Sequence, residues 1–301
     1  MKILLIGGTG FVSGTVAKVA LEAGHDVTVV TRGIKPIPAG LKQITADRFK
    51  PGSLEAAIAN AGCFDFIVDC FGFKKPDAMQ DVFALAPKCA RFAFISTDFV
   101  YDPAYRQFPQ PETNMHFLTD DSYGANKRRC EEVFLNAAQN GGFSHWTIFR
   151  PCHIYGPNSK LGCLPNHGRD PELIDRILRG EPLELAAAGT LLQQPIYAED
   201  LAKVILSCVD IPKSCCQFYN CAGPEIAESA NYYKIIADYL NRPLKIKELP
   251  IQEYKAQHPE NISFLCHRVY DLAKLKADGL YVPQMPLAEG LRIHTASLLH
   301  K

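Results

Sequence analysis

The sequence has 301 residues, 47% of them apolar, and its 32 lysines and arginines balance 32 aspartates and glutamates. A chain of this length can bury a large core in one domain or in two coupled ones, and it contains no low-complexity tract that would predict disorder. Zero net charge gives no electrostatic footprint for nucleic acid or an anionic membrane surface, and no apolar run reaches the ~18 residues of a membrane span.

The first half of the chain alternates short apolar runs with stretches of helical spacing. Glycines at 7, 8 and 10 follow the first run, and Gly24 is placed where a helix ends. The pattern predicts strands over residues 2–6, 27–30, 64–70, 91–96 and 145–149, and helices over residues 11–23, 54–61, 79–86 and 122–138. Strands that alternate with helices predict parallel pairing with crossover helices. The expected fold class is therefore α/β, a doubly wound parallel sheet of the Rossmann type.

The regular alternation of predicted strands and helices ends after Pro157. A polar loop over 158–168 precedes a helix at 171–179, a strand at 183–185, a helix at 197–208 and a strand at 217–220. Helices at 226–240 and 272–278 lie in a loop-rich tail. We expect residues 1–157 to form the nucleotide-binding domain, with 195–222 returning to it. Residues 158–194 and 223–301 are expected to form a smaller substrate-binding lobe over the carboxyl ends of the strands, where such sheets bind ligands.

The eleven cysteines are odd in number and include no C-x-x-C pair. The N-terminus runs from a short apolar stretch directly into glycines, which is not the pattern of a secretory signal. We therefore expect reduced, mostly buried cysteines, no metal site and a cytoplasmic location.

The segment from Gly7 to Gly14 is glycine-rich and lies between a predicted strand and a predicted helix. Glycines allow a tight turn and close approach to a pyrophosphate, and the helix N-terminus offers free N–H groups. A plain tight turn is the alternative. The predicted cofactor-binding residues here are Gly7, Thr9, Gly10, Phe11 and Val12. Ser13 stands where a third glycine is expected, and it is small enough for the helix to pack.

The end of the second strand selects the cofactor. Thr31 and Arg32 stand where an acidic residue would bind the ribose hydroxyls of NAD. Arginine pairs with a 2′-phosphate, so NADP(H) is favoured and NAD(H) remains possible. Alternatively, Arg32 is a solvated charge or stacks on adenine. Asp47 is expected near the adenine amino group, and Phe71 beneath the cofactor.

Three residues form the predicted catalytic group. Thr97 follows the fourth long strand, and Tyr123 and Lys127 are four residues apart on one helical face. A lysine ammonium lowers the pKa of a nearby phenol, and the tyrosine can then exchange a proton with a carbinol or carbonyl. We expect a Thr97 hydroxyl bond to the same substrate oxygen.

Together, these motifs resemble the extended (atypical) short-chain dehydrogenase/reductase family, the NAD(P)-dependent epimerase/dehydratase group. The matching segments cover most of the chain in order; they are 7–11, 96–101, 123–127, 150–157, 197–202 and 218–220. The resemblance implies that Thr97, Tyr123 and Lys127 form the catalytic triad and that Lys127 contacts the nicotinamide ribose. It also places Pro151 and His153 near nicotinamide and substrate.

Two departures from the family concern chemistry and substrate. Dehydratases of the family carry a glutamate base after the aspartate, where this chain has Phe99, so dehydration by that route is disfavoured. Asp98 is either an acid or sugar-hydroxyl ligand, or a turn residue that bonds its own backbone.

Sugar-nucleotide members of the family commonly carry an arginine at the position of Gln193, which supplies no charge here. We expect Gln193 to bind substrate by hydrogen bonds. A substitute cation is sought among the basic residues of the preceding loop and helix, Lys160, Arg169, Arg176 and Arg179, unless these are solvated. His153 is a candidate substrate ligand or a core histidine.

Two functions from different classes follow. The first is a hydride-transferring reductase, dehydrogenase or epimerase that acts on a carbinol or ketone, including that of a nucleotide sugar. The second is a non-catalytic NAD(P)- or RNA-binding protein similar to the chloroplast stem-loop-binding proteins, which tend to lack the tyrosine that this chain keeps as Tyr123. The expected partner is a small-molecule substrate, and neither nucleic acid nor membrane is expected. The family resemblance also makes a homodimer a candidate assembly, with the helix at 122–138 as the candidate interface.

Overall fold

The structure is a computed structural model and describes residues 1–299. The strands are β1 (Lys2–Ile6), β2 (Asp26–Thr31), β3 (Lys42–Thr45), β4 (Phe64–Asp69), β5 (Cys89–Ile95), β6 (Trp146–Pro151), β7 (Ile154–Tyr155), β8 (Leu183–Ala186), β9 (Leu192–Gln193), β10 (Ile196–Tyr197), β11 (Gln217–Cys221), β12 (Ala227–Glu228) and β13 (Ile246–Leu249). The helices are α1 (Phe11–Glu22), α2 (Ser53–Ala59), α3 (Lys75–Gln80), α4 (Tyr123–Gln139), α5 (Leu173–Leu178), α6 (Ala198–Ser207), α7 (Ser229–Tyr239), α8 (Ile251–Gln257), α9 (Ala273–Ala277) and α10 (Leu287–Leu299).

Seven strands form one parallel sheet in the order β11-β6-β5-β4-β1-β2-β3. The predicted fold class is confirmed. Alternate side chains of the buried strands pack on opposite faces. On one face, Leu5 and Val29 pack with the apolar sides of α1 and α6. On the other, Leu4 and Phe94 pack with α2, α3 and α4. The strand order reverses between β1 and β4, so their carboxyl ends open a crevice, the usual ligand site of such sheets.

A third apolar cluster lies in the second half of the chain. It joins α5, β8, α7 and α10 around Tyr232 and Leu291. Three short pairs, β7–β10, β8–β13 and β9–β12, also lie in the second half of the chain, and β7 begins three residues after the carboxyl end of β6.

Several elements differ from the sequence expectation. The helix expected over 79–86 begins earlier, at Lys75, because Pro76 occupies the first turn and Asp77 accepts the Lys74 N–H; a π-helical turn, Asp81–Leu85, follows. Strand β3 was not expected. The tail contains α8 and α10 in addition to the two expected helices. All eleven cysteines are free. No helix within residues 1–299 is both long and apolar enough to cross a membrane.

Candidate active site

The glycine turn after β1 is shaped by close packing against β2. Gly7 and Gly8 have φ of 105° and 136°, which only glycine adopts readily. A Cβ on Gly8 would lie 2.4 Å from Cγ1 of Val29. The turn therefore requires glycine here, and it borders a cavity of about 250 Å³ together with Thr9 and Gly10.

The N-terminus of α1 faces this cavity and has no side-chain cap at Gly10. Ser13 packs where the third glycine was expected, and its Oγ accepts a hydrogen bond from the Gly8 N–H at 2.9 Å. The serine thus stabilises the glycine turn from inside. The uncapped first-turn N–H groups and the positive end of the helix dipole fit the pyrophosphate of a dinucleotide.

The carboxyl ends of β2 and β3 border the same cavity. Thr31, Arg32 and Asp47 all lie there, as expected. The Thr31 hydroxyl accepts hydrogen bonds from the Gly33 N–H at 3.2 Å and from the Gln43 amide at 2.9 Å. Arg32 is exposed and forms no ion pair within the described residues. Lys35, which the sequence reading did not select, adds a second cation to this wall.

A second cavity of about 600 Å³ adjoins the first, because Gly10, Ser13 and Phe71 border both. It brings together the remaining predicted residues, which are Phe11, Val12, Thr97, Asp98, Tyr123, Lys127, Pro151 and His153. The two adjoining cavities have the extended form that a dinucleotide and a small substrate need.

Gln193 is the exception among the predicted site residues. It lies in β9, is 1% exposed, and borders neither cavity. Its amide nitrogen and oxygen are both buried without a hydrogen-bond partner. The short strand carries its side chain into the protein, so the structure does not support the expected role of Gln193 as a substrate ligand.

Helix α4 begins at Tyr123, against the turn after β5 that contains Thr97. The Ser122 Oγ caps the helix by accepting the Ala125 N–H. A Cβ on Gly124 would lie 1.9 Å from the Phe99 carbonyl oxygen, so glycine lets the helix approach the turn after β5. Tyr123 thereby borders the same cavity as Thr97, close enough for the Thr97 side chain to lower the pKa of Tyr123.

The pKa of Tyr123 is raised to about 12, not lowered as the sequence suggested. Burial of the hydroxyl is the main cause and the Asp98 carboxylate adds to it, although half of the residue's surface is exposed. The buried ammonium of Lys127 is hydrogen-bonded to the carbonyl oxygens of Gly72, at 2.6 Å, and Ile95. Burial lowers the pKa of Lys127.

Asp98 is neither a simple turn residue nor an available acid. Its carboxylate is 1% exposed and accepts hydrogen bonds from Arg106, Arg268 and the Tyr270 hydroxyl. Burial raises the pKa of Asp98, but the two guanidinium groups outweigh it and the net shift is downward. Asp98 is therefore an ionised anchor for the tail of the chain.

Of the basic residues considered as substitute cations, only Arg169 borders the large cavity. Arg176 and Arg179 pair with Glu172 and Glu181 at the surface, and Lys160 is exposed outside the cavity. Arg268 also borders the cavity and was missed. No local motif marks it, because its partner Asp98 is 170 residues away in sequence.

The comparison with family models gives one match. The model of the NAD dependent epimerase/dehydratase family matches residues 3–222 of this chain.

Individual relatives are distant. A chloroplast stem-loop binding protein of 41 kDa from Arabidopsis thaliana is 23% identical over 74% of this chain, and the match spans 58% of its own length. The 2′-dehydrokanamycin reductase of Streptomyces kanamyceticus is 24% identical over 91% of this chain and 78% of its own. The UDP-glucose 4-epimerase of Thermotoga maritima, solved with UDP-glucose, superposes with a TM-score of 0.79 at 19% identity, covering 100% of this chain and 99% of its own. That likeness shows a shared fold.

Proposed function

Because the chain belongs to the NAD dependent epimerase/dehydratase family, we propose that it catalyses NAD(P)-dependent hydride transfer at a carbinol or ketone carbon, as a reductase or epimerase. The observation that carries this proposal is that Thr97, Tyr123 and Lys127 border one cavity, and that this cavity adjoins the glycine turn. In this proposal residues 1–157 and 195–222 hold the cofactor, and the rest of the chain closes over the substrate.

A bound nicotinamide would supply or accept the hydride. Tyr123 donates a proton to the substrate oxygen, and Thr97 holds the same oxygen by a hydrogen bond. The raised pKa of Tyr123 keeps its phenol protonated at neutral pH, which suits ketone reduction. In this proposal Lys127, whose ammonium is hydrogen-bonded to two backbone carbonyls, contacts the nicotinamide ribose. Phe99 offers no base for removal of a carbon-bound proton, which disfavours dehydration.

The cofactor we propose is NADP(H), with NAD(H) as the alternative. Arg32 and Lys35 border the cavity at the end of β2, where an acidic residue would select NAD. In this proposal Asp47, which borders the same cavity, accepts a hydrogen bond from the adenine amino group.

Arg32→Ala is expected to weaken NADPH binding by roughly 10- to 100-fold, because hydrogen bonds between charged groups are among the strongest in proteins. NADH binding should change less than about threefold. Fluorescence titration of both cofactors measures this. Arg242→Ala, which removes an exposed arginine outside the cavity, is the matched control. Equal losses for NADPH and NADH would contradict a contact with the 2′-phosphate.

Mass spectrometry of the small molecules released when the purified protein is denatured tests the proposed function. Released NADP(H), or an empty protein that oxidises NADPH in the presence of a ketone, supports a reductase that exchanges its cofactor in each turnover. Stoichiometric NAD would indicate an epimerase that retains its cofactor and would overturn the NADP(H) assignment. Failure to bind either dinucleotide would overturn the hydride-transfer proposal.

The match to a chloroplast stem-loop binding protein supports RNA binding as a second candidate. The balanced charge of the chain offers little attraction for a phosphate backbone. Electrophoretic mobility shifts with a stem-loop RNA test the second candidate. An RNA-binding role would not require the Tyr123 hydroxyl, so the Tyr123→Phe protein would bind the RNA as the wild type does.

A further inference from the structure

The large cavity has an unbalanced charge. Its wall carries the cationic side chains of Lys127, Arg169 and Arg268, and Asp98 is its one acidic residue. Asp98 is already paired with two arginines, Arg106 and Arg268. Its single negative charge cannot neutralise both, so this buried group retains a net positive charge beside the cavity.

Arg268 is the part of this group that borders the cavity, and it is 2% exposed. One of its terminal nitrogens binds Asp98, while its Nε is buried without a hydrogen-bond partner. Buried guanidinium groups normally have their donors satisfied and their charge paired. Because Asp98 is shared between Arg268 and Arg106, the charge of Arg268 is only partly balanced, and its side of the cavity favours an anionic group.

His153 and Arg169 complete the same part of the wall. The Nε2 of His153 is buried without a partner. Burial, with Arg169 and Arg268 as the next causes, lowers the pKa of His153 to about 3, so the imidazole is neutral and can donate one hydrogen bond. Arg169 also lowers the pKa of Tyr123, which places its guanidinium within electrostatic reach of the proposed proton donor. No ion pair engages Arg169 within residues 1–299.

We propose that the substrate of the hydride-transfer site carries an anionic group, a carboxylate or a phosphate ester, which binds between Arg169 and Arg268 with a hydrogen bond from His153. The inference rests on the proposed function for the identity of the reacting oxygen. Because Tyr123, Arg169 and Arg268 border one cavity of about 600 Å³, a single small molecule can present its anionic group to the arginines and its reacting oxygen to Tyr123. The substrate class is then a short oxo or hydroxy acid, or a small phosphorylated ketone or alcohol.

Calorimetric titration of the Tyr123→Phe protein tests the subsite without turnover. The probes are methyl phosphate, pyruvate and uncharged methyl pyruvate, added at low ionic strength with saturating NADPH so that the glycine turn is occupied. We expect one of the two anions to bind and methyl pyruvate to bind at least tenfold more weakly. Binding of methyl phosphate alone assigns a phosphate ester, and binding of pyruvate alone assigns a carboxylate.

Arg169→Gln in the same Tyr123→Phe protein is expected to lower the affinity for the anion by roughly tenfold. Arg179→Gln, which removes a nearby surface arginine paired with Glu181, should leave the affinity unchanged. Equal affinities in the two variants, or no binding of either anion, would overturn the subsite. Because this titration needs no hydride transfer, its result is separate from that of the cofactor and turnover assays.

Discussion

Tyr123→Phe is expected to lower kcat for the ketone that the wild-type protein reduces by roughly 10³-fold, within the range that a positioned proton donor contributes. The phenyl ring keeps its edge contact with Phe99, at a centroid distance of 6.3 Å, and loses only the hydroxyl. KM and thermal stability should therefore change little. Steady-state kinetics with NADPH measure the effect.

Tyr239→Phe is the matched control, because it removes the hydroxyl of a partly exposed tyrosine on α7. A Tyr123→Phe protein that retained more than about a tenth of kcat would exclude Tyr123 as the proton donor. The phenol donates only while protonated, and its pKa is raised to about 12. The reduction rate is thus expected to show no loss from Tyr123 deprotonation between about pH 6 and 9.

Local sequence patterns were sufficient to predict most strands of the large sheet. Buried parallel strands such as β1 and β4 are continuous apolar runs, and glycines with a steric role stand out in sequence. Strand β3 was missed because its residues, Lys42–Thr45, are largely exposed at the sheet edge and show no apolar run. Helix α10 was missed because its buried side rests on α7 and β7, contacts that no local signal reveals.

The site was predictable where its residues belong to local motifs and unpredictable where distant segments meet. Tyr123 and Lys127 follow from helical spacing, and Thr97 from the end of β5. The pairing of Asp98 with Arg268 joins positions 170 residues apart, so its consequence for the cavity charge could not be read from sequence. Likewise, the direction of the Tyr123 pKa shift depends on burial and on the nearby Asp98 carboxylate, which local patterns do not reveal.

Arg150→Met is expected to destabilise the protein by about 3 kcal/mol, the lower end of the cost of breaking a buried ion pair, because Glu131 keeps a second partner in Arg128. The Nε and one terminal nitrogen of Arg150 donate to the Glu131 carboxylate at 2.9 and 2.7 Å, and both side chains are at most 2% exposed. Ser96 donates to the same carboxylate at 2.7 Å. This group joins α4, which carries Tyr123, to the ends of β5 and β6.

Urea unfolding midpoints measure this cost, and Arg176→Met, which breaks a surface pair with Glu172, should cost less than about 1 kcal/mol. Adding Glu131→Gln to Arg150→Met should recover part of the loss, because it removes the buried charge that has lost its main partner; fully additive costs would contradict the coupling.

The contribution of Arg150 to the stability of the folded protein is expected to change with pH in a definite direction. Burial raises the pKa of Glu131, but Arg150 and the hydrogen bonds lower it further, so the net shift is downward. A carboxylate with a depressed folded-state pKa stabilises the protein above its unfolded pKa of about 4.3, and this stabilisation is lost as pH falls through the folded value. The stability difference between wild type and Arg150→Met should therefore be full at neutral pH and narrow below about pH 4. A difference independent of pH would mean that Arg150 acts by packing against Phe218 rather than by its charge.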